Sequence, residues 1–99
     1  GSIKLDQMIL EIVSPEATLL HTEVELVTVP GINGEFQMLK DHAPIVSLLV
    51  EGEVKFKGES IEIAEEFENQ FSEDKGEYSL TIKSGTIEMK ENKIIVLAD

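Results

Sequence analysis

The sequence predicts an all-β fold of short strands, a sandwich or barrel, and three observations carry that prediction. From Met8 onward apolar and polar residues alternate with period two in stretches of five to seven residues. Proline, glycine and asparagine punctuate the stretches, as turns require. The whole chain is 99 residues, enough for one modest hydrophobic core and too short for two.

The elements follow in order. Met8, Leu10 and Ile12 share one strand face with Glu11 opposite, and Val24 and Leu26 oppose Glu23 and Glu25 in what reads as one further strand. Pro30 and Gly31 end that strand and turn the chain, Asn33 and Gly34 are suited to left-handed conformations, and Glu35 to Leu39 alternates again. Pro15, Pro30 and Pro44 are each expected beside a strand, because the missing N–H would break a ladder. Val54 and Phe56 oppose Glu53, Lys55 and Lys57. Tyr78, Leu80 and Ile82 oppose Ser79, Thr81 and Lys83, and Ile87 and Met89 oppose Thr86, Glu88 and Lys90. Glu91-Asn92 reads as a tight turn into the final strand, since asparagine tolerates positive φ.

Two stretches do not alternate. Ile45 to Val50 and Ile94 to Ala98 are apolar on both faces, which fits central strands buried on both sides better than a strand that also meets another subunit. The stretch from Glu59 to Glu77 is the least strand-like: it holds eight acids and a single base, Lys75. Ile63, Phe67 and Phe71 recur at helical spacing there, while Ile61 and Ile63 also fit a strand end. A strand running into an acidic loop or helical turn is the expectation.

Composition excludes several classes of function. Twenty acids against eight bases give a net charge of −12, which repels nucleic acid and anionic bilayers and favours a partner presenting arginine or lysine. Without cysteine there is neither a disulfide framework nor a thiolate metal site. The apolar runs are far below the roughly 20 residues that span a bilayer, so membrane association is expected only through a partner. Gly1-Ser2 resembles a tag remnant, and residues 1–7 read as that remnant plus an N-terminal extension, with one domain over residues 8–99.

No residue set suggests catalysis or a cofactor. His21 and His42 lack the spacing of metal ligands, the many glutamates isolate no catalytic pair, and Gly31 and Gly34 belong to no nucleotide-binding fingerprint. A free-standing β-sandwich module for carbohydrate or peptide is an alternative, but one tyrosine, four phenylalanines and no tryptophan offer little for an aromatic platform. A small hydrolase using paired glutamates ranks lower still.

The segment Val29-Pro30-Gly31-Ile32-Asn33-Gly34-Glu35-Phe36-Gln37-Met38-Leu39-Lys40-Asp41-His42-Ala43-Pro44 resembles the hallmark V-P-G-x-x-G-E-F-x-x-L-x-x-H-A-P of epsilon subunits of F-type ATP synthases. Leu10 to Glu16, Glu23 to Val29, Ser84 to Met89 and Asn92 to Asp99 resemble further strands of that family. The resemblance implies a two-layer antiparallel β-sandwich of about ten short strands, here without the helical hairpin that follows it in the family. It implies a non-catalytic rotor subunit of a bacterial proton-translocating ATP synthase, peripheral to the cytoplasmic face of the inner membrane, needing no cofactor and binding no nucleotide. The implied partners are the gamma subunit and the c-ring loops: Asn33, Glu35 and Gln37 would meet the ring, and Ser14, His42, Ala43 and Ile45 would meet gamma. Two departures stand out. Lys40-Asp41 replaces the family's Pro-Gly, and Thr86 replaces the second glycine of its S-G-G element. The acidic stretch near residues 65–76 reads as a solvated insertion.

Overall fold

A computed structural model describes residues 8–99; the N-terminal residues read as tag remnant and extension lie outside them. Ten strands follow one another: β1 Met8–Val13, β2 Thr18–Val24, β3 Leu26–Gly31, β4 Gly34–Met38, β5 Ile45–Leu49, β6 Gly52–Lys57, β7 Phe71–Asp74, β8 Glu77–Ile82, β9 Gly85–Lys90 and β10 Lys93–Ala98. A 3-10 helix, Glu65–Gln70, precedes β7.

The pairings form two five-stranded layers, β2-β1-β10-β9-β5 and β4-β3-β6-β8-β7, joined at one corner by the pairing of Gly31 with Leu49. The expected sandwich is therefore present, with one departure from antiparallel geometry: β1 and β10 run parallel, which sets the first and last strands of the described chain side by side with their starts at the same end of the layer. Leu10, Ile12, Ile87 and Val96 of one layer and Val27, Val29, Val54 and Phe56 of the other meet in a single buried cluster. Phe56 is the largest side chain in it, stacked on Tyr78 at 5.7 Å and met edge-on by Phe71 at 6.0 Å.

Turn chemistry follows the sequence closely. Glu91 and Asn92 both adopt positive φ, 52° and 59°, as a two-residue hairpin between antiparallel strands demands. At the β3–β4 turn Gly34 alone takes positive φ, 112°; Asn33 does not, contrary to expectation. Gly85 is required by a close approach, because a Cβ there would run into the carbonyl oxygen of Leu97, whereas Thr86 sits one residue on with its side chain on the opposite face. The substitution of the second glycine thus leaves the packing untouched.

Four expectations are corrected. The single strand over Glu23 to Val29 is broken at Glu25, where the chain crosses from one layer to the other and the Glu25 N–H donates to the Lys57 carbonyl at 2.7 Å. The break resets the alternation, so Val24 and Val27 are both fully buried and Leu26 only half so. Pro30 lies inside β3 and is buried, not beside the strand. It is tolerated because β3 changes partner there: Thr28 pairs with β6, Gly31 with β5, and between them the Val50 N–H donates to the Pro30 carbonyl.

The third correction concerns the acidic stretch. Ile61 and Ile63 belong to an irregular segment, not a strand end; only Glu65–Gln70 is helical, and Phe71 starts the unforeseen strand β7. The segment is pinned to β2, since the buried Thr22 Oγ1 accepts from the Glu62 N–H at 3.0 Å and donates to the Ser60 carbonyl at 3.5 Å. It closes the open side of the sandwich by packing Ile61, Ile63 and Phe67 against the core. The fourth is the burial of both faces of Ile45 to Val50 and Ile94 to Ala98: β10 lies between β1 and β9, and β5 pairs β9 and meets β3 only at Leu49, but the outer face of each is uncovered.

Candidate functional site

Asn33, Glu35 and Gln37 come together on the β3–β4 hairpin. Phe36 and Met38 turn inward, which leaves Glu35 and Gln37 on the exposed face of β4 with Asn33 at the tip. Glu35 is not a free anion: its Oε2 lies 3.5 Å from Lys55 Nζ on β6. The tip is a stiff ribbon presenting one paired carboxylate and two amides.

His42 and Ala43 lie exposed on the loop that leads into β5, with Ile45 half-buried at its start. A turn closed by the His42 N–H on the Leu39 carbonyl at 3.1 Å places Asp41 at φ 66°, the conformation glycine takes at that position. Asp41 manages it because its N–H donates to Asn92 Oδ1 at 2.7 Å while Asn92 Nδ2 donates to Asp41 Oδ1 at 3.2 Å. The loop is thereby clamped to the β9–β10 turn. His42 Nδ1 donates to the Ala43 carbonyl at 2.7 Å, which leaves Nε2 outward.

Ser14 is not part of this group. It follows β1 at the end of the layer where β10 finishes, while His42 and Ala43 adjoin the end where β10 begins, about 15–20 Å away at the usual rise per strand residue. Its hydroxyl accepts from the N–H groups of Glu16 and Ala17 and donates to the Ala17 carbonyl, so it shapes the β1–β2 turn.

The most conspicuous surface is the second apolar face that the sequence marks on Ile45 to Val50. On the outer face of the first layer Val46 and Leu48 of β5 are 74% and 58% exposed and Leu97 of β10 is 50% exposed. The registers align them in rows: Leu48, Thr86 and Leu97 in one, Val46, Glu88 and Ile95 in the next. Ile32 from the hairpin tip and Val50 border the same face, framing with Leu48 and Leu97 a shallow hollow of about 410 Å³. The signal was the apolarity of both faces of Ile45 to Val50 and Ile94 to Ala98; what it lacked was knowledge that nothing within the described residues covers the second face.

The sequence profile of the ATP synthase Delta/Epsilon chain beta-sandwich domain matches residues 7–99. The chain belongs to that family. An ATP synthase epsilon chain of Dehalococcoides mccartyi is 37% identical over 90 residues, covering 91% of this chain and 54% of the relative. One from Chlorobium limicola is 33% identical over 90 residues, covering 91% of this chain and 86% of the relative. The chain thus spans about half the length of the first of these epsilon chains and most of the second. The fold is shared with a chain in the Euglena gracilis mitochondrial ATP synthase structure of OSCP, F1 and c-ring in rotational state 1, at a TM-score of 0.70 and 18% identity over 99% of this chain and 53% of that one. A chain from the Tetrahymena thermophila mitochondrial ATP synthase central stalk and c-ring gives a TM-score of 0.68 at 13% identity, covering 97% and 66%. Among the described residues of this family member, no helix is long and apolar enough to cross a membrane.

Proposed function

We propose that this chain is the β-sandwich of the epsilon subunit in a bacterial F-type ATP synthase, a non-catalytic part of the central stalk that couples c-ring rotation to the gamma subunit for ATP synthesis. The observation that carries the reading is the family match over residues 7–99, with epsilon chains as the similar sequences. The geometry supports it. Torque transfer needs a stiff body and an interface that stays packed under load, which calls for an apolar contact with a polar rim. The uncovered rows of β5 and β10, with Ile45 and the His42-Ala43 loop at one end, are such a contact for gamma. The hairpin carrying Asn33, Glu35 and Gln37 projects as a separate element and is the contact for the loops of the c ring. Ser14 acts on gamma only by holding the β1–β2 turn at the far end of the same layer. In this reading the subunit sits peripherally on the cytoplasmic face of the inner membrane, through the complex.

The test is to mix the chain with the gamma subunit of the same organism and measure the complex by size-exclusion chromatography with native mass spectrometry. A stable one-to-one complex is expected. Its absence, with both proteins folded, would return the chain to a free-standing sandwich module.

A further inference from the structure

The stretch from Glu59 to Glu77 is not consumed by the rotor reading. Among the described residues strand β7 is the edge of its layer, paired only with β8. Lys75 and Gly76 form a two-residue turn at positive φ, so Asp74 and Glu77 flank it and exchange their backbone bonds. Two residues back, Ser72 and Ser79 do the same, and the N–H and C=O of Glu73 between them face away from β8. Across from that edge runs the irregular segment Ile61 to Ile63, and the two walls enclose an open slot of about 520 Å³.

The floor of the slot is apolar: Ile61, Ile63, Phe71 and Tyr78 line it, all half-buried against the core. The rim is anionic, with Glu62, Glu68 and Glu73. Among the described residues the ion pairs are Lys40–Asp41 and Lys55–Glu35, and neither involves that rim; Glu73 Oε2 accepts a 3.3 Å bond from the Gly76 N–H. An unpaired strand edge, an apolar trough and an anionic rim converge on one place.

We propose that this slot takes an extended, basic segment of another protein, which adds to β7 as a further strand. The backbone edge supplies main-chain hydrogen bonds, the trough takes alternate apolar side chains, and the rim takes the arginines or lysines between them. Charge selects the occupant: a second copy of this chain, at net charge −12 and with the same acidic edge, would be repelled.

A capped heptapeptide alternating arginine and valine is the probe, titrated into the 99-residue chain by calorimetry and followed by amide NMR shifts. Saturable one-to-one binding is expected, with shifts concentrated on Phe71–Asp74 and on residues 61–63. Affinity should fall roughly tenfold when alternate peptide nitrogens are methylated to block strand pairing. A similar loss, on the order of tenfold, is expected in the Glu62→Gln/Glu68→Gln/Glu73→Gln variant, whose fold is checked by its spectrum. The proposal is overturned if the methylated peptide binds as well, if shifts scatter over the acidic surface, or if no binding occurs up to about 1 mM. Concentration-dependent dimerisation with shifts at β7 and no peptide present would assign the edge to a second copy and overturn it equally.

Discussion

Replacing Val46 and Leu48 together by threonine isolates the uncovered face from the fold. Both residues lie on β5 and point away from the core, at 74% and 58% exposure. Full burial of such a side chain is worth about 1.5–3 kcal/mol. The exposed share left for a partner to cover is therefore roughly 1–2 kcal/mol for each residue. Threonine keeps the β-branched shape of Val46, shortens Leu48 and suits a strand at both positions, but puts a hydroxyl into the contact. Together the two changes should remove about 2 kcal/mol of binding, a roughly 30-fold weaker complex with gamma at about 1.4 kcal/mol per tenfold. Stability of the isolated chain should move by no more than about 0.5 kcal/mol, because neither side chain contributes to the core. Affinity is read by calorimetry against the gamma subunit and stability by urea unfolding. An unchanged dissociation constant would refute the assignment of this face to gamma, and a large stability loss would refute the claim that it is uncovered.

Three further outcomes follow from the packing. Phe56→Ala removes the side chain shared by Phe71 and Tyr78 and should lower unfolding stability by about 3–5 kcal/mol in a denaturant titration. Asn92→Ala should cost about 1–2 kcal/mol, losing both the positive-φ tolerance and the clamp on Asp41; Asn92→Gly should recover part of that, and faster amide exchange at Asp41 in both variants would show the clamp released. Thr22→Val removes the acceptor for the Glu62 N–H and should lower stability by about 1–2 kcal/mol, with hydrogen exchange accelerated at residues 60–64 before it changes in β1 or β9.

Much of the fold was legible because a half-buried strand writes its burial into the sequence at period two. Met8, Leu10 and Ile12, Val54 and Phe56, and Ile87 and Met89 are buried as their alternation requires, and Glu91-Asn92 turns where its tolerance of positive φ predicts. The failures share a cause. A chain that crosses between layers keeps its alternation on the page while the core changes side, so the break at Glu25 leaves no local mark. β7 is four residues long and mostly exposed, so three of its residues carry the polar composition of a loop, and Phe71 alone betrays it. Pro30 misled because the rule against proline assumes a partner at that position, and the ladder there passes from one strand to another. The candidate site was half legible. Apolarity on two faces marked the right strands, but whether a second face meets a neighbour within the chain or lies open is a property of the topology.

Under the proposed contact with the c ring, Glu35 shows how that topology would bear on function. A lone carboxylate at the tip of a hairpin would gain a partner's arginine outright, but Glu35 already faces Lys55 across β3, with its side chain 54% exposed and that of Lys55 31% exposed. An ion pair so accessible to water contributes below about 1 kcal/mol, so Glu35 can exchange Lys55 for an incoming guanidinium at little cost to the fold. The bidentate geometry of arginine then decides in favour of the partner, since Lys55 offers a single point charge at 3.5 Å. Glu35→Gln should thus leave unfolding stability within about 1 kcal/mol while weakening attachment to the c ring. Lys55→Gln should strengthen attachment by removing the competitor. Both effects should shrink as salt is raised, because the contact lies at the surface. Binding to purified c ring at two ionic strengths measures all three. If Lys55→Gln weakened attachment instead, the lysine itself would be part of the contact and the exchange argument would fail.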